Sequence, residues 1–131
     1  MLKKTITSVD YNGNERTEDH YFNLNKAELM EMQLSVNGGL DAMLKTIIES
    51  NDQAAIMKMF KDIIMRSYGI KHVDGVQFEK SEEISRKFTQ TEAYNVLFME
   101  LCTDAKAAAA FIKGILPNDL ATELNKEESN K

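Results

Sequence analysis

The stretch that decides the fold class lies near the C-terminal end, where residues 89–117 read TQTEAYNVLFMELCTDAKAAAAFIKGILP. Thr89-Gln90-Thr91-Glu92 has the spacing of a capping box, in which side chains at both ends satisfy free amides at the start of a helix. The helix that follows is apolar on several sides and is therefore expected to be buried. Its apolar residues are Tyr94, Val96, Leu97, Phe98, Met99 and Leu101.

A last helix is predicted directly after this one. Thr103 or Asp104 can cap it, because either side chain can accept hydrogen bonds from the first helical amides. Ala107 to Ala110 has high helix propensity and a thin surface that lets a neighbouring helix come close. Pro117 disfavours continuation. The apolar contacts of this helix are expected from Phe111, Ile112, Ile115 and Leu116.

Further helices are predicted upstream. Ser81 and the two glutamates after it start a short helix through Phe88. Asp52 caps a helix through Tyr68 that ends at Gly69, and its apolar residues cover more than one stripe, which favours a central position. Two earlier helices carry apolar residues at helical spacing. The first lies between a capping box of Asn25 with Glu28 and a stop at Asn37-Gly38-Gly39, and its apolar residues are Leu29, Met30, Met32 and Leu34. The apolar residues of the second are Leu40, Met43, Leu44, Ile47 and Ile48.

The N-terminal segment is expected to form a β-hairpin. Thr5 to Tyr11 and Glu15 to Leu24 flank Asn12-Gly13, a dipeptide that tolerates the positive φ of tight hairpin turns. Polar and apolar residues alternate in the second segment, as a half-buried strand requires. Further along, Asp74-Gly75 indicates a turn or a very small second hairpin.

Together these patterns predict a mainly α fold, in which an N-terminal β-hairpin packs on a bundle of about five or six helices. No linker or internal repeat divides the chain, so residues 1–117 are predicted to form a single domain. Residues 118–131 are polar and are predicted to form a flexible tail.

Composition and charge exclude several classes of function. The net charge of -5 disfavours binding to the phosphate backbone of nucleic acids. No apolar run approaches the roughly 18 residues that span a bilayer, and the first residues lack the apolar segment of a signal peptide. The single cysteine cannot form an internal disulfide. We therefore expect a cytosolic protein with neither nucleic acid nor membrane as a partner.

No catalytic, cofactor or metal site is predicted. Cys102 lies on an apolar helix without a basic neighbour, so a buried structural role is expected. His20 and His72 have no ligands at metal-binding spacing. Gly38-Gly39 lacks a phosphate-loop pattern and is explained as helix punctuation. The sequence thus indicates a protein that is not an enzyme.

Eight methionines are the most suggestive feature of the composition. Their flexible, polarizable side chains can adapt to irregular or varied partner surfaces. Most are nevertheless expected in the core, namely Met43, Met57, Met59, Met65 and Met99. Met30 and Met32 are the pair predicted to be exposed, because their helix carries apolar residues on more than one side.

Three segments are informative when read in order: TEDHYFNLNKAELMEM at residues 17–32, QTEAYNVLFMEL at residues 90–101 and TDAKAAAAFIKGILP at residues 103–117. With them, most of residues 3–117 resembles the tail assembly chaperones of long-tailed bacteriophages. The resemblance implies a non-enzymatic helper in the host cell cytoplasm. Such a helper would bind the tape measure protein, keep it soluble while tail tube subunits assemble around it, and be absent from the finished virion.

The resemblance also implies further partners. Members of this family often have a longer form, made by ribosomal frameshifting, whose extension is expected to recruit the tail tube protein. The polar residues after Pro117 suit a short form. Self-association is expected as well, since many copies along one client gain avidity. For contacts with the tape measure protein we predict Leu29, Met30, Met32 and Phe111.

Two other interpretations of the sequence are open. A structural virion protein, such as a head-to-tail connector or a tail completion protein, would share the small size and the lack of catalytic residues. A small enzyme with an unrecognised site would instead require polar groups that converge in a deep pocket.

Overall fold

The computed structural model describes residues 1–31, Lys45, Glu49 and residues 52–117. The strands are β1 (Leu2–Val9), β2 (Glu15–Phe22), β3 (Tyr68–Lys71) and β4 (Phe78–Glu79). The helices are α1 (Lys26–Glu31), α2 (Gln53–Ser67), α3 (Glu82–Phe88), α4 (Glu92–Thr103) and α5 (Ala105–Ile115). The four strands form one antiparallel sheet in the order β1-β2-β3-β4.

The predicted N-terminal hairpin is confirmed. β1 and β2 pair along all eight residues of each strand. Gly13 has a φ of 84°, a left-handed conformation that glycine adopts without a steric penalty. The Asp10 carboxylate accepts hydrogen bonds from the amides of Asn12 and Asn14, both at 2.9 Å. These bonds satisfy the turn amides and set the register of the two strands.

The sheet extends beyond the hairpin, so the prediction of a hairpin on a helical bundle requires correction to a mixed α/β fold. The last two residues of β2 pair with the start of β3, and β3 pairs with β4. The predicted end of α2 near Tyr68 is confirmed, but Gly69 does not form a left-handed cap. It lies in β3, because the chain passes from the helix directly into a strand. The small second hairpin at Asp74-Gly75 is confirmed, with Gly75 at a φ of 76°.

Most helices begin at the predicted caps. In the capping box of α1, the amide of Asn25 donates to Glu28 Oε1 at 3.0 Å and the amide of Glu28 donates to Asn25 Oδ1 at 2.8 Å. α2, α3 and α5 begin after Asp52, Ser81 and Asp104, whose side chains accept from amides of the first turn. These polar side chains therefore determine where the helices start.

The cap of α4 differs from the prediction. Thr91, rather than Thr89, accepts a hydrogen bond from the amide of Tyr94 at 3.2 Å. Thr89 keeps helical dihedral angles at the end of α3, with φ at -64° and ψ at -11°. An N-cap residue needs extended dihedral angles, so Thr89 cannot serve α4.

An aromatic cluster between the sheet and the helices forms the centre of the core. The ring of Phe22 lies 5.6 Å from Tyr68, 5.9 Å from Phe88 and 5.2 Å from Phe111, in each case edge to face. Tyr68 and Phe88 are stacked at 4.1 Å. The predicted apolar contacts of α5 are also confirmed, since its buried side chains, with that of its C-cap, include Phe111, Ile112, Ile115 and Leu116.

A part-buried lysine holds α1 in place. Lys80 Nζ lies 2.7 Å from both carboxylate oxygens of Glu28, which share one N–H donor, and donates its other two hydrogens to the carbonyl oxygens of Asn23 and Arg66. Glu28 also belongs to the capping box of α1. The network therefore joins α1 to the end of β2 and to the end of α2, which fixes the direction in which α1 presents its outer side.

Several predictions lie outside the described residues. They concern the helix stop at Gly38-Gly39, the helix with the stripe from Leu40 to Ile48, the positions of Met32 and Met43, and the tail at residues 118–131. All of them stay predictions.

Candidate protein-binding surface

Large apolar side chains are exposed on several elements. Within the described residues they are Met1, Val9, Tyr11, Met30, Met57, Ile70, Val73, Val76, Val96 and Met99. Single exposed apolar residues are common on protein surfaces, whereas groups of them on ordered elements indicate an interaction site. Three places qualify: α1, the tip of the β3–β4 hairpin, and the adjacent helices α2 and α4.

The residues predicted to contact a partner separate in the structure. Met30 on α1 is 71% exposed, which confirms its predicted exposure. Leu29 and Phe111 are buried in the core, so neither side chain can contact a partner in this conformation. Consecutive helical residues point in different directions, and for this reason Leu29 packs inward while Met30 faces outward. Met32 lies outside the described residues.

Two methionines of α2 and α4 are more exposed than predicted. Met57 is 43% exposed and Met99 is 57% exposed, so the prediction that both lie in the core is wrong. Met59 and Met65 are half-buried. The two helices carry apolar residues on several sides, and only one side of each can face the single core of a small domain. The remaining apolar residues face solvent.

α2 and α4 lie side by side and run antiparallel. At one end, Gln53 Nε2 donates to the carbonyl oxygen of Cys102 at 3.2 Å. At the other end, Tyr68 follows the last residue of α2 and stacks on Phe88. The ring of Phe88 in turn lies 5.8 Å from that of Tyr94, in the first turn of α4. The start of one helix is therefore next to the end of the other.

Apolar side chains from both helices lie close together on this surface. Met57 lies one turn after Gln53, and the half-buried Phe98 lies one turn before Cys102. Because residues four apart share one side of a helix, the antiparallel packing places Met57 and Phe98 on the facing flanks of α2 and α4. Met99 lies on the outward side of α4, whereas Val96 is exposed on the opposite flank from Phe98, because residues two apart do not share one side of a helix. We name Met57, Phe98 and Met99 the α2–α4 face.

Basic side chains border the α2–α4 face. Lys61 lies one turn after Met57 and Lys58 is adjacent to it in the chain, and both lysines are exposed. Neither forms an ion pair with any residue in the described ranges. Asp62, next to Lys61, and Glu100, next to Met99, already have basic partners in the ion pairs Asp62–Arg66 and Lys4–Glu100. The edge of this face is thus locally positive on a chain whose net charge is -5.

The tip of the β3–β4 hairpin is a second apolar feature. Val73 is 101% exposed and Val76 is 87% exposed. The turn between them is held by a hydrogen bond from the amide of Gly75 to the carbonyl oxygen of His72 at 2.9 Å. The amide of Val76 donates to Asp74 Oδ1 at 3.0 Å. The two valines therefore project from a backbone with a defined turn.

A cavity of about 250 Å³ lies between the first hairpin and the start of α4. His20 lines it, and its Nε2 atom is buried with no hydrogen-bond partner among the described residues. The imidazole packs 5.1 Å from the ring of Phe88. Burial lowers the pKa of His20, and the nearby carboxylates of Glu18 and Asp19 oppose this shift. A neutral imidazole is therefore favoured at neutral pH.

This buried histidine makes stability depend on pH. The pKa of His20 is lower in the folded protein than in the unfolded chain, so the unfolded chain binds more protons below a pH of about 6.5. The free energy of unfolding should fall as the pH is lowered from 7.5 to 5.5, with a slope of at most about 1.4 kcal/mol per pH unit from this one proton. Urea denaturation at several pH values measures the slope.

Two substitutions assign the pH effect to a residue. His20→Gln should remove most of the slope above pH 5.5, whereas Val76→Gln should leave it unchanged. Val76→Gln is the matched control because it introduces the same amide at a position that is 87% exposed. A slope that survives His20→Gln unchanged contradicts the assignment.

The surroundings of Cys102 do not activate its thiol. Cys102 is half-buried rather than fully buried, and burial raises the pKa of its thiol. The thiol is therefore protonated at neutral pH and lacks the activation of a nucleophilic cysteine.

Across residues 1–31 and 52–117, no three side chains of histidine, cysteine, aspartate or glutamate are arranged to hold a metal ion. No helix in the same ranges has the length and apolar character needed to cross a membrane.

Comparison with known proteins yields one decisive finding. A family model described as phage tail assembly chaperone matches residues 1–131. The chain belongs to the phage tail assembly chaperone family. The resemblance inferred from the three sequence segments is thereby confirmed. Neither the curated proteins nor the solved structures searched gave a match.

Membership of the tail assembly chaperone family implies protein partners in tail assembly and suggests a role without catalysis. For a tail assembly chaperone, exposed apolar side chains on ordered elements are the features of interest, because apolar contact is the main source of affinity between proteins. Periodicity in the sequence predicts that Met30 is exposed. It does not predict the α2–α4 face, because that face depends on how two helices pack.

Proposed function

We propose that this chaperone binds the tape measure protein of its phage, keeps it soluble and aids assembly of the tail tube around it. The family match over residues 1–131 carries the proposal. The exposed apolar side chains of α1, of the hairpin tip and of the α2–α4 face support it, since a long apolar client needs apolar surface for shielding. An acidic net charge helps keep the resulting complex in solution.

The proposal extends to where and with what the chaperone acts. It works in the host cell cytoplasm and leaves before the virion is complete. Several copies bind along one client or associate with each other, so that weak single contacts add up to stable binding. A longer frameshifted form brings the tail tube protein to the complex.

Affinity capture and virion composition test the proposed function together. Tagged chaperone expressed with the tape measure protein should capture that protein in the soluble fraction. Mass spectrometry of purified virions should find no stoichiometric copies of the chaperone. Copies in the virion at the level of other structural proteins, together with no capture of the tape measure protein, would favour a connector or tail completion protein instead.

Met30 gives a prediction for a single residue. Met30→Asp should weaken capture of the tape measure protein at least about fivefold, because a charge replaces an exposed apolar contact of α1. The free energy of unfolding should change by less than about 0.5 kcal/mol, since the side chain is 71% exposed. Quantitative capture and urea denaturation measure the two effects.

A matched substitution controls for added charge. Val76→Asp places the same acid at another exposed apolar position, on the hairpin tip. It should reduce capture less than Met30→Asp does. Equal losses in the two variants would show that charge alone weakens binding and that Met30 is not a specific contact.

A further inference from the structure

The α2–α4 face combines exposed apolar side chains with unpaired basic side chains. We propose that it binds an amphipathic helix of the client, one whose apolar stripe is bordered by aspartate or glutamate. This proposal rests on the proposed function and names the chemistry of the segment that the chaperone recognises. The apolar groups, the charges and the backbone of the face each support it.

The apolar groups of the face suit a partner side chain that packs between two helices. Met57 and Met99 are substantially exposed, and Phe98 is half-buried on the flank of α4 that faces α2. Neighbouring antiparallel helices leave a shallow groove along their line of contact. Methionine side chains lining such a groove can adjust to several partner residues, because the thioether chain has three rotatable bonds.

The charges near the face select the partner. Lys61 follows Met57 by one turn, and Lys58 lies beside it on the outer side of α2. Asp62, which follows Lys61 in the chain, already forms an ion pair with Arg66 at 3.0 Å. Since no acid of the described chain neutralises these lysines, a partner with carboxylates beside its apolar stripe would complete the charge pattern.

The backbone of the face restricts the form of the partner. The amides and carbonyls within α2 and α4 are used in helical hydrogen bonds, so an added β-strand would find no free backbone groups there. A partner can bind only through side chains presented on one side. An amphipathic helix presents such a row of side chains at i, i+3, i+4 and i+7.

Charge reversal on the full-length chaperone tests the proposal by capture of co-expressed tape measure protein. Lys58→Glu with Lys61→Glu should reduce capture at least about tenfold at low salt. Lys3→Glu with Lys71→Glu makes the same change in net charge at exposed lysines on the sheet. This matched control should lose less than about twofold. Equal losses in the two variants would overturn the proposal, and so would no loss in either.

Photo-crosslinking from the face identifies the occupant directly. Benzoylphenylalanine at position 99 should crosslink to a tape measure peptide with apolar residues at helical spacing and with aspartate or glutamate beside them. A crosslink to a second copy of the chaperone, or to a peptide without that pattern, overturns the proposal while capture by the wild type still supports the proposed function. No capture of the tape measure protein by the wild type overturns both.

Discussion

Phe22→Ala is expected to lower the free energy of unfolding by about 3–5 kcal/mol. The Phe22 side chain is completely buried, and its ring contacts the rings of Tyr68, Phe88 and Phe111 at 5.2 to 5.9 Å. Alanine would leave a cavity where the sheet, α3 and α5 meet, and rings that also pack against each other cannot easily close it. Urea denaturation followed by circular dichroism measures the loss.

Two further substitutions keep this prediction testable if the alanine variant does not fold. Phe22→Leu retains most of the volume and should cost less than the alanine variant, at about 1–1.5 kcal/mol. Val76→Ala changes an exposed side chain of the hairpin tip and should stay within about 0.5 kcal/mol of the wild type. A loss below about 1 kcal/mol for Phe22→Ala would contradict the central place of the aromatic cluster.

The second large effect is expected at Gly69, where an alanine should cost about 2–3 kcal/mol. A Cβ atom there would lie 2.7 Å from Phe78 Cε2 and 2.8 Å from the backbone oxygen of Glu79. The backbone oxygen belongs to β4, which pairs with β3, so it cannot move aside without breaking the pairing. Thermal and urea denaturation of Gly69→Ala measure the cost.

Gly114 is the matched control for this prediction. A Cβ at Gly114 would meet only the Leu2 side chain, with Cδ1 at 3.0 Å and Cβ and Cδ2 at 3.4 Å, and the close Cδ1 atom can move by rotation of that side chain. Alanine also gains up to about 1 kcal/mol of helix propensity within α5. Gly114→Ala should therefore stay within about 1 kcal/mol of the wild type. A Gly69→Ala variant that is no less stable than Gly114→Ala would refute the close approach of β3 and β4.

Helix starts could be predicted from the sequence because their causes are local. Asn25, Asp52 and Ser81 each satisfy amides a few residues away, and each caps a helix in the structure. The cap predicted at Thr89 is wrong, because nearby residues alone do not determine which threonine begins α4. Two threonines stand two residues apart, and the choice between them depends on how far α3 extends.

The sheet was predicted only in part, because long-range pairing determines the rest. β3 has four residues and β4 has two, too few for the alternation that identifies a strand. β3 also follows α2 without a break, so Gly69 resembled a helix end. What holds β3 in place is its pairing with the last residues of β2, more than 40 positions earlier in the chain.

The candidate surface was likewise predicted only in part. Periodicity correctly indicated that Met30 is exposed, but Leu29 and Phe111 are buried. The sequence predicts Met57 and Met99 in the core because their helices are apolar on several sides, and a single sequence does not tell which side meets the sheet. Only the packing of α2 against α4 distinguishes the buried side from the exposed one.

We propose that the folded domain offers excess apolar surface to the tape measure protein and so keeps it soluble. The most direct test is to dilute urea-unfolded tape measure protein into buffer and to follow its aggregation by light scattering. The wild-type chaperone in molar excess should suppress the scattering, and a variant with Met57→Ser and Met99→Ser should suppress it less while remaining folded. Scattering that is the same with and without the wild-type chaperone would contradict the claim.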